Sequence, residues 1–583
     1  RPDIVLDDST MIRSANAPIA GHISGRGTKM RGTVFTACIV SIAFCSVVYG
    51  ELQNVEIGGK IEIYGAWYSN AFEPSGGTER IPNFFLPNRP IGPYNTVSWI
   101  RTGDGGNNLG FWEQRTRLHV SADFTNEVMA FIELDQIHGW GQDFRSNYLT
   151  GSDGRANSSD NVEVFQAFID VDKLFGLPAR LRIGRQEMEF GSGWLMGSDL
   201  GPDPFSGLAY DAIRLSVGDD VIHFDAWASK LAERGADEEN GDIDFYGIYG
   251  TWVLGDGTSS AMSKNFSQAL FPMHMVYRMY DSFMRNGPFR GRKQPATTDL
   301  QFDAYYMYLR DAGSLNDTNF AAPIEWLEDA VDVDDYSPTE LHTFGGRGSG
   351  VWNGFDWEAE AAYQWGNADS TGFLFKPAGQ LYGDDTAEWG FWAGHFEVGW
   401  TSPLPWDTRI FLGGAYYGGD DDRSISFADW LNPFDRPDAS VAFNRLFTSW
   451  LEDSFIDTSG LSNLWTGYIG ANAYPSERVE LGMTLTYQEV LDAFDSPVAV
   501  SFGDWKVPVA PALSFWTEGG PKDLGWQTSL WATYAYTENL TFEVGWSHWF
   551  VGDAIGEGVV FTDEHNLRNV GGRGDDDQEG DRV

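Results

Sequence analysis

The sequence has few cysteines, few basic residues and, after residue 50, no long apolar run. Cys38 and Cys45 are the only cysteines among 583 residues, which excludes a disulfide framework and a cysteine zinc site. Lys and Arg number 39 against 84 Asp and Glu, for a formal net charge of −45. Nucleic-acid binding needs a basic surface, so this charge argues against such a partner. No later stretch reaches the roughly 18 apolar residues of a transmembrane helix.

Aromatic residues are abundant, at 15% of the chain with 24 Trp, and glycine occurs 68 times. This composition is too rich in apolar side chains for a disordered acidic chain. The length fits either several globular domains or one very large sheet closed on itself. A small cytosolic enzyme is therefore already disfavoured.

Residues 30–50 have the layout of a secretory signal peptide. Met30-Arg31 supplies a positive charge, residues 34–48 are mostly apolar, and Val48-Tyr49-Gly50 has small residues at its outer positions. A buried strand and a membrane anchor are the alternatives, but an anchor needs about 20 apolar residues. We predict that the protein is exported, that residues 1–29 are extra upstream sequence, and that strands rather than helices cross any membrane.

After residue 50 the dominant pattern has a period of two, which indicates β-strands. Val55, Ile57, Ile61 and Ile63, for example, alternate with polar or small neighbours. The pattern predicts an all-β chain with candidate strands near 55–70, 111–124, 128–140, 161–172, 179–190, 208–217, 221–231, 242–254, 299–311, 339–348, 355–366, 387–401, 408–418, 462–474, 478–490, 523–536 and 539–550.

Three features favour a transmembrane antiparallel β-barrel over a soluble sandwich, which would also show alternation. The runs are about 10–14 residues long, a length suited to a tilted crossing of the bilayer. Aromatic residues gather at the ends of the runs, as in the girdles of membrane barrels. Tight turns alternate with long polar loops, which predicts short periplasmic turns and long extracellular loops.

Residues 51–551 are predicted to form this barrel with about 18 strands, because single-chain bacterial barrels usually have an even number. Residues 552–583 are predicted to be an acidic loop and tail that lacks the expected closing strand, and a miscounted 16-strand barrel with an acidic tail is the alternative. Residues 255–298 interrupt the pattern with helical spacing broken at Pro272. We predict a helical periplasmic insertion there, either a plug or docking helix or a packed segment of no special role.

The stretch from Glu113 to Leu231 resembles the alginate-export family of outer-membrane porins. The resemblance is carried, in order, by QRTRL at 114–118, FIELDQ at 131–136, AFIDV at 167–171, LRIGRQEMEFG at 181–191 and YDAIRL at 210–215. It implies a monomeric barrel of 18 strands in the outer membrane of a bacterium. It also implies passage of polysaccharide or other hydrophilic solutes through that membrane.

If the apolar residues face lipid, the alternate residues face the lumen. The pore-lining candidates are Arg115, Arg117, Glu133, Asp135, Asp170, Arg180, Arg182, Arg185, Arg214, Asp225, Asp356, Glu358 and Glu360. Arg185 qualifies only through a β-bulge beside Gly184. One hypothesis is a transverse field, in which a cationic wall on strands 2, 5 and 6 faces an anionic wall on strand 11. The alternative is that these charges pair with neighbours on adjacent strands.

Signatures of enzymes and metal sites are weak. The acidic pairs, such as Glu358 and Glu360, have the i,i+2 spacing of one strand face, and no phosphate loop or nucleophile elbow occurs. The histidines, His395 among them, lie singly on strands and are not predicted as ligands. The sequence predicts no catalytic residue, no metal and no cofactor. Acidic loop clusters such as Asp420-Asp421-Asp422 leave loop-bound Ca²⁺ as an alternative.

The predicted function is a non-enzymatic outer-membrane channel whose lumen charges set selectivity. Its expected partners are outer-membrane lipid and hydrophilic solutes or polysaccharide, with no nucleic acid. One alternative is a secreted β-rich carbohydrate-active or carbohydrate-binding protein, which only the Trp richness and the acidic pairs support. A structural barrel without conductance is the other.

Overall fold

The computed structural model describes a strand-rich part of the chain. The described residues are 54–69, 73–74, 100–101, 109–140, 146–147, 152–153, 162–198, 205, 207–219, 221–233, 242–254, 299–311, 339–367, 374–375, 381–382, 388–402, 406–419, 425–426, 442–450, 462–491, 499–502, 505–508, 522–537, 539–552 and 580–582. The predicted signal peptide at 30–50, the upstream residues 1–29 and the predicted insertion at 255–298 lie outside them. Within the described ranges, no helix has the length and apolarity to cross a membrane.

Within the described residues, seventeen long strands form one antiparallel sheet, in which each strand pairs with the next along the chain. They are β1 Asn54–Ser69, β2 Leu109–Thr125, β3 Val128–Gly139, β4 Glu163–Val171, β5 Ala179–Gln186, β6 Tyr210–Gly218, β7 Ile222–Ala232, β8 Ile243–Leu254, β9 Asp299–Asp311, β10 Thr339–Trp352, β11 Phe355–Asn367, β12 Trp392–Thr401, β13 Arg409–Tyr417, β14 Leu464–Ser476, β15 Val479–Val490, β16 Asp523–Thr537 and β17 Leu540–Val551. This up-and-down order confirms the predicted all-β barrel architecture.

The first and last long strands are linked by a very short one. The strand β18, Gly580–Arg582, pairs with 547–549 of β17 on one side and with Tyr68 and Ser69 of β1 on the other. This strand takes the eighteenth position in the ring. Because it has only three residues, the barrel is not closed along the remaining length of β1 and β17.

The two faces of the sheet differ in chemistry. One face exposes the apolar residues of the alternating pattern, with relative accessibilities of 71% for Ile57, 56% for Ile248 and 55% for Phe542. The residues between them are mostly polar and buried, for example Glu133 and Asp135 on β3. In a sandwich the apolar face would be covered by a second sheet. An exposed apolar face around a polar interior is the pattern of a membrane barrel.

Exposed aromatic side chains form two belts on the apolar face. Near the long connections lie Trp67, Trp112, Trp140, Trp365, Trp392, Trp465 and Trp526, and near the short turns lie Trp252, Trp352, Phe355 and Trp400. Neighbouring rings touch within a belt, as for the stacked pair Trp112 and Trp140 with centroids 5.6 Å apart. Aromatic rings prefer the two membrane–water interfaces, so the belts mark the edges of the hydrocarbon layer.

The connections confirm the predicted alternation of length. Two residues separate β2 from β3, β10 from β11, β14 from β15 and β16 from β17. In the β10–β11 turn, Asn353 and Gly354 have φ of 47° and 88°, the left-handed values of a type I′ hairpin turn. At the opposite edge the connections are long, such as 140–162 and 418–463.

An arginine in the middle of the apolar face tests the lipid contact. We expect Ile248→Arg, at the centre of β8, to lower the free energy of unfolding by about 2–4 kcal/mol, since a charge is costly at the bilayer midplane. Urea unfolding in lipid vesicles measures this change. Val221→Arg is the matched control, because Val221 is 51% exposed beside a short turn and interfacial charges cost only about 0–1 kcal/mol. Equal losses in the two variants would contradict the assignment of this face to lipid.

Candidate functional site

Two segments from long connections fold onto the polar face of the sheet. The first inward segment, residues 187–198, follows β5 directly, and the second inward segment, residues 442–450, lies between β13 and β14. Backbone hydrogen bonds join them. The Phe447 N–H donates to the Leu195 carbonyl at 3.0 Å, and the Gly197 N–H donates to the Phe447 carbonyl at 2.8 Å.

The first inward segment contacts strands that are not neighbours in the sheet. Glu187 accepts a hydrogen bond from Arg117 on β2 at 3.4 Å. The Trp194 indole donates to the Tyr417 hydroxyl on β13 at 2.8 Å. One short segment can reach both strands only from the side toward which the sheet curves. The polar face is therefore the interior, and the two inward segments lie across it.

Apolar packing holds the inward segments in place. Trp194 is fully buried, and the Phe447 ring meets the Phe245 ring of β8 edge-on with centroids 5.1 Å apart. The segments approach each other closely at Gly197, where an added Cβ would lie 1.7 Å from the Ser449 hydroxyl oxygen. The interior thus contains an apolar cluster as well as charged side chains.

Arg115 and Arg117 on β2 form a buried charge cluster with β3. The Nε atoms of the two arginines donate to Asp135 at 2.8 Å and 3.0 Å. Arg117 also lies 3.4 Å from a Glu133 oxygen, and its guanidinium stacks over the Phe165 ring at 4.0 Å. Both arginines are at most 5% exposed, so each positive charge is neutralised within the wall.

The same pairing continues along the next strands. Asp170 on β4 accepts two hydrogen bonds of 2.7 Å from Arg182 on β5. The other pairs are Arg214 with Asp225 at 2.8 Å and Arg180 with Asp172 at 2.5 Å. The Arg180 side chain is 52% exposed, because it lies at the end of its strand beside a turn. Each pair joins adjacent hairpin strands or the turn beside them.

The densest group of charges lies on β9 to β13, and we call it the β9–β13 charge cluster. Its members are Asp303, Arg347, Asp356, Glu358, Glu360, Glu397 and Arg409. Arg347 donates to Asp303 at 2.6 Å and to Glu358 at 2.8 Å, while Arg409 donates to Asp356 and to Glu397 at 2.6 Å each. Glu360 accepts from the Tyr305 hydroxyl at 2.7 Å. The cluster lies under the first inward segment, where the Ser192 hydroxyl is 3.5 Å from Glu360.

Sequence reasoning did not select Asp303, Arg347, Glu397 or Arg409. Arg347 stands in a glycine-rich strand without apolar alternation, and Arg409 begins its strand after a turn, so neither has the pattern used to assign faces. Asp303 and Glu397 do alternate with apolar residues on β9 and β12. That signal could have found both of them.

Of the thirteen predicted pore-lining residues, twelve have side chains on the interior face. The prediction for Arg185 is wrong. Its side chain is exposed on the same face as Ile183, directly opposite Asp211 of β6. The expected bulge is absent, because the β5–β6 register runs without a shift from Gln186 to Ala179. Contact of the other twelve with solute stays a prediction.

The hypothesis of a transverse field is also corrected. The arginines proposed for the cationic wall all pair with carboxylates of the same wall, as Arg182 does with Asp170. The proposed anionic wall contains Arg347 and Arg409 in its own ion pairs. Opposite charges on adjacent strands are close enough to cancel locally in a low dielectric. The alternative, pairing between neighbours, is what the structure has.

Local pairing leaves a surplus of acid. Among the residues that the structure describes, twelve Asp and Glu side chains are buried, against four arginines. The half-buried cations Lys60, Arg182, Arg214 and Arg409 reduce this surplus without removing it. The interior therefore carries a series of ion pairs with net negative charge, which we call the charge ladder. Its pairs include Arg115 with Asp135, Arg182 with Asp170, Arg214 with Asp225, Arg347 with Glu358 and Arg409 with Glu397.

Comparison with known proteins gives one family. A family model described as "Alginate export" matches residues 95–262 and 269–566, and no curated protein matches the chain. Among solved structures, OccK11 (OpdR) of Pseudomonas aeruginosa is 8% identical with a TM-score of 0.40, covering 86% of this chain and 92% of its own. OccAB2 of Acinetobacter baumannii is 10% identical with a TM-score of 0.41, covering 91% and 96%.

Loss of a buried cation tests the interior ion pairs. We expect Arg347→Met to lower the free energy of unfolding by about 3–5 kcal/mol, because Asp303 and Glu358 would stay buried without their partner. Denaturant unfolding in lipid vesicles measures the loss. The control is Arg180→Gln, which removes a half-exposed pair and should cost about 1 kcal/mol or less. If the two variants unfold at the same denaturant concentration, the buried pairs do not stabilise the wall as described.

Proposed function

The chain belongs to the alginate export family and forms an outer-membrane channel, and on this premise we propose that it conducts hydrophilic, hydroxyl-rich solutes past a ladder of paired charges. The family supports a channel rather than an enzyme. We further propose that one chain makes one channel, since every neighbouring pair of strands comes from the same chain. The solute belongs to the class of neutral or weakly charged saccharides.

The observation that carries this proposal is the pairing of charges on the interior face. An Arg–carboxylate pair such as Arg182 with Asp170 offers N–H donors and lone-pair acceptors side by side. A sugar hydroxyl both donates and accepts, so it can exchange water for such a pair without leaving a group unsatisfied. An apolar solute would displace water from the charged side chains of the wall without forming hydrogen bonds in its place, which costs free energy. The ladder therefore favours hydroxyl-rich solutes.

The sign of the surplus charge separates neutral saccharides from acidic ones. The part of the chain that the structure describes has twelve buried carboxylates and four buried arginines. A polyanion entering this interior would meet net repulsion, because a low-dielectric wall focuses the field of its charges. A polyuronate is thus a poorer substrate than a neutral polysaccharide, and small cations pass more readily than small anions.

The inward segments supply a limit on size. They lie across the interior and contact walls as distant as β2 and β13. Trp194 and Phe447 fix them by packing in the apolar cluster. We propose that these segments narrow the channel and hold a passing solute against the charge ladder.

Ion selectivity tests the charge ladder. In planar bilayers under a KCl gradient, we expect a reversal potential that reports cation preference. Arg115→Gln with Arg117→Gln should increase that preference, since two positive charges leave the lumen wall. Arg185→Gln is the matched control, because the Arg185 side chain is on the outer face and its loss should leave the reversal potential unchanged. Anion preference in the unmodified protein, or an equal shift in the control, would refute the proposed ladder.

Substitutions in the apolar cluster test the narrowing. We expect Trp194→Ala with Phe447→Ala to raise single-channel conductance, because the inward segments would lose their packing against the wall. The same variant should be blocked less by a neutral oligosaccharide added to one side. Phe542→Ala on the lipid face serves as control, since it removes an aromatic side chain outside the lumen. Unchanged conductance in the double variant would mean that the segments do not narrow the channel.

A further inference from the structure

One histidine of the interior lies directly against two carboxylates of the β9–β13 charge cluster. His395 on β12 stands opposite Glu360 on β11 in the strand register. Its Nε2 atom is 3.6 Å from a Glu360 oxygen and 3.9 Å from Glu358 Oε1. One ligand atom from each of the three side chains lies within 4.8 Å of the others, and all three residues are buried. The sequence did not predict this group, because it joins two strands separated along the chain.

Three buried polar atoms of this group lack hydrogen bonds. Among the described residues, Glu358 Oε1 and both ring nitrogens of His395 are buried and have no hydrogen-bond partner. Glu360 Oε2 accepts one long hydrogen bond of 3.5 Å from the Ser192 hydroxyl and lies 4.0 Å from Arg347 Nε. Buried polar groups are nearly always paired, so several unpaired atoms that converge on one point need an explanation.

The charge around these atoms gives a second, independent indication. The β9–β13 charge cluster contains five buried carboxylates, Asp303, Asp356, Glu358, Glu360 and Glu397, but only the two guanidinium groups of Arg347 and Arg409. Each carboxylate lies within 4.0 Å of one of these guanidinium groups, but the carboxylates exceed the guanidinium groups by three negative charges. Leaving such charges uncompensated in a low dielectric is expensive. The bound charge of one divalent cation would therefore reduce the excess negative charge of the cluster.

We propose that Glu358, Glu360 and His395 bind one divalent transition-metal ion of the Zn²⁺ class. One imidazole nitrogen with two carboxylate oxygens is a ligand set that suits Zn²⁺ rather than Mg²⁺ or Ca²⁺, which prefer oxygen alone. Zinc bonds of about 2.0–2.2 Å place tetrahedral ligand atoms roughly 3.3 Å apart. The separations of 3.6 and 3.9 Å around His395 Nε2 need only a small contraction. Water or the Ser192 hydroxyl completes the coordination.

The site also touches both inward segments. The Trp450 ring lies 4.3 Å from the His395 ring, and the Trp194 ring lies 5.1 Å from it, measured between centroids. The Trp450 indole donates to the Ser192 carbonyl at 3.0 Å. A metal ion at His395 thus fixes the point where the two segments meet the barrel wall, and its binding stabilises the folded protein.

Metal binding by the tag-free, detergent-purified protein tests the proposal. After removal of metals with chelator, we expect titration with Zn²⁺ to reveal one tight equivalent and the thermal unfolding midpoint to rise with bound Zn²⁺. His395→Gln should weaken binding by more than the roughly 10–100-fold that loss of a supporting residue costs, and Glu358→Gln should do the same. The matched control is His223→Gln, because His223 is an interior histidine that faces a single carboxylate, Asp225, at 3.0 Å. This control should keep the equivalent.

Two outcomes would overturn the proposal. One is that the unmodified protein takes up no stoichiometric Zn²⁺. The other is that His395→Gln binds Zn²⁺ as tightly as the unmodified protein. If the variants do not fold, X-ray absorption on the unmodified protein decides. Outer-shell scattering from one imidazole ring at the bound Zn²⁺ supports the site, and the absence of that scattering rejects it.

Discussion

A hydrocarbon layer offers no hydrogen-bond partner, so every backbone N–H and C=O that crosses it must be paired within the protein. The seventeen long strands meet this demand by pairing each strand with the next along the chain, except along most of the outer edges of β1 and β17. Pairing fixes the sheet, and the sheet fixes the side chains, because successive residues point to opposite faces. The apolar residues take the outer face, and whatever alternates with them is carried inside.

The chemistry of the interior follows from this alternation of side chains. Polar residues alternate with the lipid-facing ones on strand after strand, and many are charged. A charge that is removed from bulk water needs a partner nearby, and the nearest candidates lie on the adjacent strand. Arg182 and Asp170 pair in this way, as do Arg347 and Glu358. Local pairing is therefore the arrangement that a closely packed sheet imposes on its own lumen.

The sequence predicts the parts of this structure that depend on periodicity. The strand positions, the exposed faces and the tight turns at residues such as Asn353 and Gly354 follow from patterns within ten or so residues. The inward segments do not, because residues 187–198 and 442–450 are joined by contacts between parts of the chain far apart in sequence. No local pattern specifies which loop enters a lumen.

For the candidate site too, the sequence predicts what depends on local periodicity and does not predict contacts between distant parts of the chain. Face assignment succeeds for residues such as Arg115 and Asp225, which stand in clear alternation. It fails for Arg185, where a bulge was assumed and the register is continuous. It also cannot reveal that His395 meets Glu360, because that contact depends on which strands are neighbours and in what register.

Stability and selectivity are coupled in this interior, since the same side chains serve both. Arg117 is held by Glu133 and Asp135 in the wall and by Glu187 in the first inward segment. Removing its charge changes the field that an ion meets, and it also loosens a contact between wall and segment. The apolar cluster around Trp194 gives the segments support that does not depend on charge. In a channel built this way a change of lumen charge also changes the stability of the wall, while the apolar packing keeps the segments in place.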